Sequence, residues 1–173
     1  MRALLLTGEL GAGKTSVAIE VAHQLDGLGI RNAAVDLDWL CWAGPDVTSE
    51  GLRELLQRNL HTVAANLAEI GVTRIVLARA LRDPADRAAV ERALPDWDLV
   101  VVRLLVDPDE ALARVRARDR GSELVDIAAQ ADAIRSDVAR TDLADLEVDN
   151  SGTRTLAAVA TEVLHRTNWL PKP

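Results

Sequence analysis

The chain has 173 residues, of which 49% are hydrophobic and 27% are charged, and its formal net charge is −7. This length suits a single α/β domain spanning 1–173, and the hydrophobic fraction excludes a disordered chain. The negative charge makes nucleic acid or an anionic membrane an unfavourable partner. With one cysteine, Cys41, and no apolar run of transmembrane length, the sequence predicts a cytoplasmic protein.

Strand and helix signals alternate along the whole chain. This alternation predicts a parallel sheet covered by helices on both faces, with ligands at the carboxyl ends of the strands. In chain order, the predicted elements are strand 3–6, helix 16–25, strand 32–37, helix 50–70, strand 72–77, a helix from Asp83-Pro84, strand 98–106, a helix from Asp107-Pro108 to about 121, helix 123–139, strand 146–148, helix 153–165 and a tail, 168–173.

A complete nucleotide-triphosphate loop, G-x-x-x-x-G-K-[ST], lies between the first strand and the first helix at residues 8–15. Its glycines let successive backbone N–H groups surround a phosphate at the positive end of the helix. Lys14 is predicted to reach the β- and γ-phosphate oxygens, and the Thr15 hydroxyl to ligate Mg²⁺. The predicted phosphate-binding residues are Gly8, Gly11, Ala12, Gly13, Lys14, Thr15 and Ser16.

Two carboxylates, Asp36 and Asp38, end the second strand and are predicted to face the triphosphate from one side of that strand. We assign Asp36 to the water shell of Mg²⁺ and Asp38 to an acceptor hydroxyl. The alternative is that both carboxylates cap backbone N–H groups. Trp39 and Trp42 follow and could stack on a flat acceptor, although packing in the core or a loop is the commoner role of tryptophan.

The third strand has no acidic residue at its end, where motor-type ATPases hold Mg²⁺. Arg79 and Arg82 lie there instead. They are candidates for an anion clamp on a second substrate, or for surface arginines paired with Asp83 or Asp86. The two hypotheses are equal for Arg79, and the surface role is favoured for Arg82.

An arginine-rich segment, 114–121, follows the fourth strand and is predicted to begin a lid-like region near 114–125. Arg114 and Arg118 share one helical face, and either could neutralise phosphate charge, with Gly121 as a hinge. The alternative is a solvated helix whose arginines pair with nearby acidic residues, namely Asp109, Glu110 and Asp119.

The turn after the fifth strand, 149–152, is expected beside the nucleotide loop. There the Asn150 side chain, or the backbone of the turn, could bind the edge of an adenine. A turn that precedes a capped helix also needs no function.

Together these features resemble the small-molecule kinase branch of the P-loop fold, which includes the adenylylsulfate, shikimate, gluconate and chloramphenicol kinases. The resemblance covers most of the chain and rests on the loop, the two carboxylates, the arginine segment and the final turn. Residues 80–87 are also similar to the substrate-arginine region of adenylylsulfate kinases. The resemblance implies a three-layer α/β sandwich with a five-stranded sheet of order 2-3-1-4-5, a mobile lid and ATP-dependent phosphorylation of a hydroxyl.

The leading hypothesis is therefore a kinase that uses ATP and Mg²⁺ on a small metabolite, nucleotide-like compound or antibiotic, with Lys14, Asp38 and Arg118 as catalytic residues. The loop alone is also similar to that of the bacterial ATPase that assists tRNA threonylcarbamoylation. That similarity keeps open an accessory ATPase or switch acting through a protein partner, and a nucleotide-binding module without turnover is a third alternative. The acceptor, the choice between ATP and GTP, and the oligomeric state stay open.

Overall fold

A computed structural model describes residues 1–44, 46–118 and 141–170. The strands are β1 (Arg2–Thr7), β2 (Asn32–Asp36), β3 (Arg74–Ala78), β4 (Asp98–Leu105) and β5 (Leu146–Asp149). All five are parallel and form one sheet in the order β2-β3-β1-β4-β5, which confirms the predicted α/β topology. In register, Leu6 of β1 lies between Ala78 of β3 and Val102 of β4.

Helices cover both faces of the sheet, as the alternating pattern predicts. The described helices are α1 (Lys14–Gly27), α2 (Ser49–Glu69), α3 (Pro84–Ala93), α4 (Pro108–Arg118) and α5 (Leu156–Arg166), with 3₁₀ turns at Leu37–Leu40 and Thr141–Leu143. Helices α1, α4 and α5 share one buried apolar cluster with the sheet, and α2 and α3 share the other. The predicted helix 123–139 lies outside the described residues.

Side-chain caps decide where several helices begin. Asp83 accepts a hydrogen bond from the Asp86 N–H at 2.8 Å, and Pro84 occupies the first helical position, so α3 starts where predicted. The final helix starts at Leu156 rather than at 153, because the Thr155 hydroxyl accepts from the Ala158 N–H at 3.2 Å. Local capping chemistry therefore fixes these boundaries to within a few residues.

The predicted tail is wrong for residues 168–170, because this segment closes the core. Trp169 is 1% exposed, and the guanidinium groups of Arg2 and Arg74 lie 5.6 and 5.7 Å from its ring centroid. Arg2 also donates to the Thr167 and Asn168 carbonyls at 2.7 Å each. Burial, together with the neighbouring Arg2 charge, lowers the pKa of Arg74. Residues 167–169 therefore pack against the amino-terminal ends of β1 and β3.

The opposite edge of the sheet gathers the predicted functional segments. β1 leads into the glycine loop, β2 into the 3₁₀ turn that carries Asp38, β3 into Arg79, and β5 into Asn150. This is the edge at which parallel α/β sheets bind ligands. Within the described ranges, no helix has the length and apolar character needed to cross a lipid bilayer.

Replacing Trp169 by alanine should lower the free energy of unfolding by about 3–5 kcal/mol, because a buried indole and two cation–π contacts are lost. Urea unfolding followed by circular dichroism measures this. Trp42→Ala is the matched control, since Trp42 is 79% exposed and its loss should change stability by only about 0.5 kcal/mol. Equal unfolding midpoints for the two variants would contradict the buried placement of Trp169.

Candidate active site

The glycine loop turns tightly between β1 and α1. Gly13 has a φ of 83° and caps α1, with the Val17 N–H donating to its carbonyl at 2.9 Å. Gly11 also has a φ of 83°, and a Cβ added there would lie 2.5 Å from the Ala111 carbonyl oxygen. Glycine is therefore required at Gly11 both by the backbone conformation and by the close approach of α4.

Asn150 supports this loop from behind. Its side chain is 2% exposed, and its Nδ2 donates to the Ala12 carbonyl at 2.8 Å. The Asn150 N–H donates to the Leu105 carbonyl at 2.8 Å, which ties the turn to β4. The Asn150 amide is therefore already engaged by the loop backbone. Contact of this side chain, or of the turn backbone, with an adenine edge stays a prediction.

A cavity of about 600 Å³ lies in front of the loop. The Lys14 side chain bends back over the loop, and its ammonium donates to the carbonyls of Gly8 at 3.1 Å and Glu9 at 2.9 Å. The positive charge of Lys14 is therefore held beside the loop backbone. The cavity is lined by Leu10, Gly11, Gly13, Lys14, Thr15 and Ser16 from the loop and α1, by Asp36 and Asp38, and by Arg114 and Val115 of α4.

Asp36 joins the second strand to the loop. Its Oδ2 accepts from the Thr15 hydroxyl at 2.7 Å, and its Oδ1 accepts from the Asp38 N–H at 3.0 Å. The capping alternative is therefore observed for Asp36, together with a contact to the predicted metal ligand. The described residues contain no cluster of three or more acidic, His or Cys side chains able to hold a metal ion. A Mg²⁺ ion here would need nucleotide and water oxygens besides the Thr15 hydroxyl, and that suits its preference for few protein ligands.

Asp38 projects into the cavity from the 3₁₀ turn and is supported by Arg79. The Arg79 guanidinium donates to Asp38 Oδ1 at 3.1 Å and to Cys41 Sγ at 2.9 Å. Arg79 is 6% exposed, so the surface-arginine hypothesis is wrong for this residue. This pairing has no local signal in the sequence, because the two partners are 41 positions apart. Its predicted clamp role is untested, but its guanidinium is already engaged by a carboxylate.

Arg82 pairs with Asp86, as the favoured alternative predicted. Its Nε donates to Asp86 Oδ2 at 2.9 Å, and Arg53 approaches Asp86 Oδ1 at 3.5 Å. Burial acts to raise the pKa of the Asp86 carboxyl, but the hydrogen bonds and charge of Arg82 outweigh it and the pKa is lowered. The same ion pair raises the pKa of Arg82. The substrate role predicted for Arg82 therefore lacks support from these contacts.

Arg114 reaches from α4 over the glycine loop. Its Nη2 donates to Glu110 Oε1 and to the Asn150 carbonyl, both at 2.7 Å, and its Nη1 is 3.4 Å from the Gly11 carbonyl. Glu110 Oε2 also accepts from the Gly152 N–H at 2.7 Å. The acidic-partner alternative is therefore observed for Arg114, which also lines the cavity, and its phosphate role stays a prediction. The Arg118 side chain and residues 119–140, including the predicted hinge Gly121, lie outside the described part.

Trp39 and Trp42 are not packed in the core, so that part of the favoured interpretation is wrong. Trp39 is 75% exposed and Trp42 is 79% exposed. Both follow Asp38 closely along the chain.

Comparison with known proteins places this fold among kinases. No known family profile matches the chain, and neither does any curated protein. The APS kinase of Mycobacterium tuberculosis, solved with AMPPNP and APS, has a TM-score of 0.68 and 25% identity over 96% of this chain and 97% of that one. The Deinococcus radiodurans tunicamycin resistance protein has a TM-score of 0.67 and 16% identity, covering 96% and 95%. Shikimate kinase from Acinetobacter baumannii, in complex with shikimate, has a TM-score of 0.66 and 17% identity, covering 98% and 94%. The chain has the P-loop fold of small-molecule kinases, as its sequence motifs predicted.

Replacing Gly11 by alanine should weaken binding of an ATP analogue by about tenfold or more, because left-handed strain of about 1–2 kcal/mol adds to the clash with α4. Isothermal titration calorimetry measures the affinity. Gly29→Ala is the matched control, since Gly29 has a φ of 68° but open space around an added Cβ. Similar affinity losses in both variants would show that the close approach of α4 is unimportant.

Replacing Asp86 by asparagine should cost about 1.5–3 kcal/mol of stability at neutral pH, because charged hydrogen bonds to Arg82 are lost. The folded pKa lies below the ordinary value of 3.8, so this stabilisation is complete above that value. The difference from wild type should shrink as the pH falls through the folded pKa.

Urea unfolding at several pH values measures this dependence. Asp98→Asn, which removes a carboxylate that is 74% exposed and has only a 3.9 Å contact to Arg2, is the control. A loss for Asp86→Asn that is constant down to strongly acidic pH would refute the ionic explanation.

Proposed function

We propose that the protein is an ATP-dependent kinase that transfers the γ-phosphoryl group to a hydroxyl of a small molecule. One observation carries this proposal: the Asp38 carboxylate, held by the buried Arg79, lines the same cavity as the glycine loop. A site for nucleotide binding alone needs no second carboxylate, besides Asp36, held in this cavity. The kinase fold shared with the solved structures supports the same conclusion.

The proposed donor site is formed by the loop backbone, Lys14 and Arg114. Main-chain N–H groups and the amino end of α1 would bind the phosphates. Lys14 can exchange its carbonyl partners for phosphate oxygens, and Arg114 lines the same cavity beside the Gly11 carbonyl. Both cations would compensate charge that develops during transfer. Arg118 remains a proposed contributor.

Thr15 and Asp36 would hold Mg²⁺, the first directly and the second through bound water. When present, the ion neutralises phosphate charge and orients the nucleotide. The 2.7 Å contact between the Thr15 hydroxyl and the Asp36 carboxylate fixes both groups on the loop side of the cavity.

Asp38 would act on the acceptor. It accepts the hydroxyl proton while the hydroxyl oxygen forms a bond to the γ-phosphorus. The bond between that phosphorus and the β–γ bridging oxygen breaks, and ADP leaves with its electron pair. The proton then passes to solvent, which restores the carboxylate.

Replacing Asp38 by asparagine should reduce phosphoryl transfer by about 10²–10⁴-fold while leaving ATP affinity nearly unchanged, because the amide cannot accept the proton. ADP release in the presence of metabolite and antibiotic panels, with mass spectrometry of the product, measures transfer. Calorimetry with a non-hydrolysable ATP analogue measures affinity. Asp98→Asn serves as the carboxylate control at the opposite edge of the sheet.

Equal loss of transfer and of ATP affinity would reassign Asp38 to the nucleotide or metal. If no compound in broad panels is phosphorylated, and a co-purifying protein instead stimulates slow hydrolysis, the accessory ATPase replaces the kinase.

A further inference from the structure

Two exposed indoles closely follow Asp38 in the chain. The chain contains four tryptophans and no phenylalanine or tyrosine. Trp97 and Trp169 are 8% and 1% exposed, whereas Trp39 and Trp42 are 75% and 79% exposed. In the described ranges, no other large hydrophobic side chain is as exposed as these two. Half of the aromatic side chains of this protein therefore lie in solvent at one place.

The two rings form a single stacked unit. Their centroids are 5.8 Å apart and their planes differ by 16°, which is a near-parallel offset arrangement. Stacking covers part of one face of each ring, and the high exposure of both shows that much of the remaining indole surface is accessible. We call this unit, Trp39 with Trp42, the indole platform.

The backbone beneath the indole platform is anchored on several sides. The Asp38 N–H donates to Asp36, and the Asn59 side chain donates to the Leu40 carbonyl at 2.6 Å. Leu37 is fully buried, and the Cys41 thiol lies 3.5 Å from the Leu37 carbonyl. The exposure of the indoles is therefore a property of an ordered turn. Such a turn presents both rings at low entropic cost to a ligand.

The indole platform adjoins the group that would activate the acceptor. Trp39 is the residue after Asp38, so their Cα atoms are about 3.8 Å apart. Asp38 lines the cavity, and the first residue of the platform follows it directly in the chain. An acceptor whose hydroxyl reaches Asp38 would therefore lie beside the turn that carries Trp39.

The charges around this side do not favour an anionic acceptor. Arg79 is engaged by Asp38, Arg82 by Asp86, and Arg53 lies within 3.5 Å of both Asp83 and Asp86. Among the described arginines beside β3 and α3, these three therefore already have carboxylate partners. A negatively charged group would have to displace one of these carboxylates from its arginine.

We propose that the indole platform is the acceptor subsite and that it selects an uncharged hydroxyl compound carrying a planar aromatic or heteroaromatic ring. This inference rests on the proposed kinase function and names its substrate class. The ring stacks on an indole face while the hydroxyl lies at Asp38. Stacking of this kind changes affinity about 5- to 100-fold per ring.

Intrinsic fluorescence tests binding independently of transfer. The protein has no tyrosine, and the exposed indoles are the ones a bound ring would quench. The probes are uridine and adenosine, with ribose as the probe that lacks the ring and the nucleoside monophosphates as anionic probes. Neutral aromatic alcohols complete the set, and a saturating non-hydrolysable ATP analogue blocks the donor site.

Saturable quenching by ring-bearing neutral probes, absent with ribose and weaker with the monophosphates, is expected. Trp39→Ala and Trp42→Ala should weaken it about 5- to 100-fold, and Trp39→Phe should retain most of it. Where transfer occurs, the alanine variants should raise KM with little change in kcat. Ile70→Ala, at another exposed apolar side chain that is 69% exposed, should behave as wild type.

The proposal is overturned by a lack of quenching with every neutral ring compound, by quenching that survives both alanine variants, or by preferential binding of the anionic probes. A dimer in sedimentation experiments that dissociates in the alanine variants would assign the platform to an interface between copies. Transfer to a ringless acceptor, unaffected by Trp39→Ala, would reject the subsite but keep the kinase. Ring binding without any transfer would keep the subsite and reject the kinase.

Discussion

The close packing of the glycine loop against two distant segments is the constraint on which the site depends. An added Cβ would lie 2.5 Å from the Ala111 carbonyl at Gly11 and 2.8 Å from the Asn150 amide at Gly13. Both partners follow the loop by about a hundred residues or more, and they reach it only because β4 and β5 extend the sheet beside β1. The shape of the loop is therefore set by the fold as well as by the ligand it would bind.

The other half of the site depends on side chains from β2 and β3. The buried Arg79 holds Asp38, and Asp36 both caps the following turn and accepts from Thr15. This last contact joins the two halves, since Thr15 lies on α1 while Asp36 ends β2. A change that moves β2 relative to β1 would therefore shift the glycine loop and the Asp38 carboxylate together.

Local sequence signals predicted most of the fold, because caps, glycine turns and apolar periodicity act over a few residues. The start of α3 at Pro84 and the alternation of strands and helices are examples, whereas the strand order is implied by the resemblance to P-loop kinases. The same signals could not reveal that Trp169 packs against Arg2 and Arg74, nor that Arg79 pairs with Asp38, because the sheet order brings these partners together across long stretches of chain. The loop motif predicted the phosphate site, whereas the role of Asn150 in supporting the loop required the register of β5.

The two halves differ in the atoms that would recognise a ligand. The proposed donor side consists of main-chain N–H groups, the end of a helix and the Lys14 ammonium, of which only the ammonium is a side-chain group. The proposed acceptor side consists of Asp38, its partner Arg79 and two exposed indoles, all of which depend on residue type. Kinases with the same fold can therefore share a donor site while differing widely in sequence. In this chain we expect the turn that follows β2 to determine which acceptor binds. There the indoles of Trp39 and Trp42, which could have stabilised the core, remain exposed to solvent.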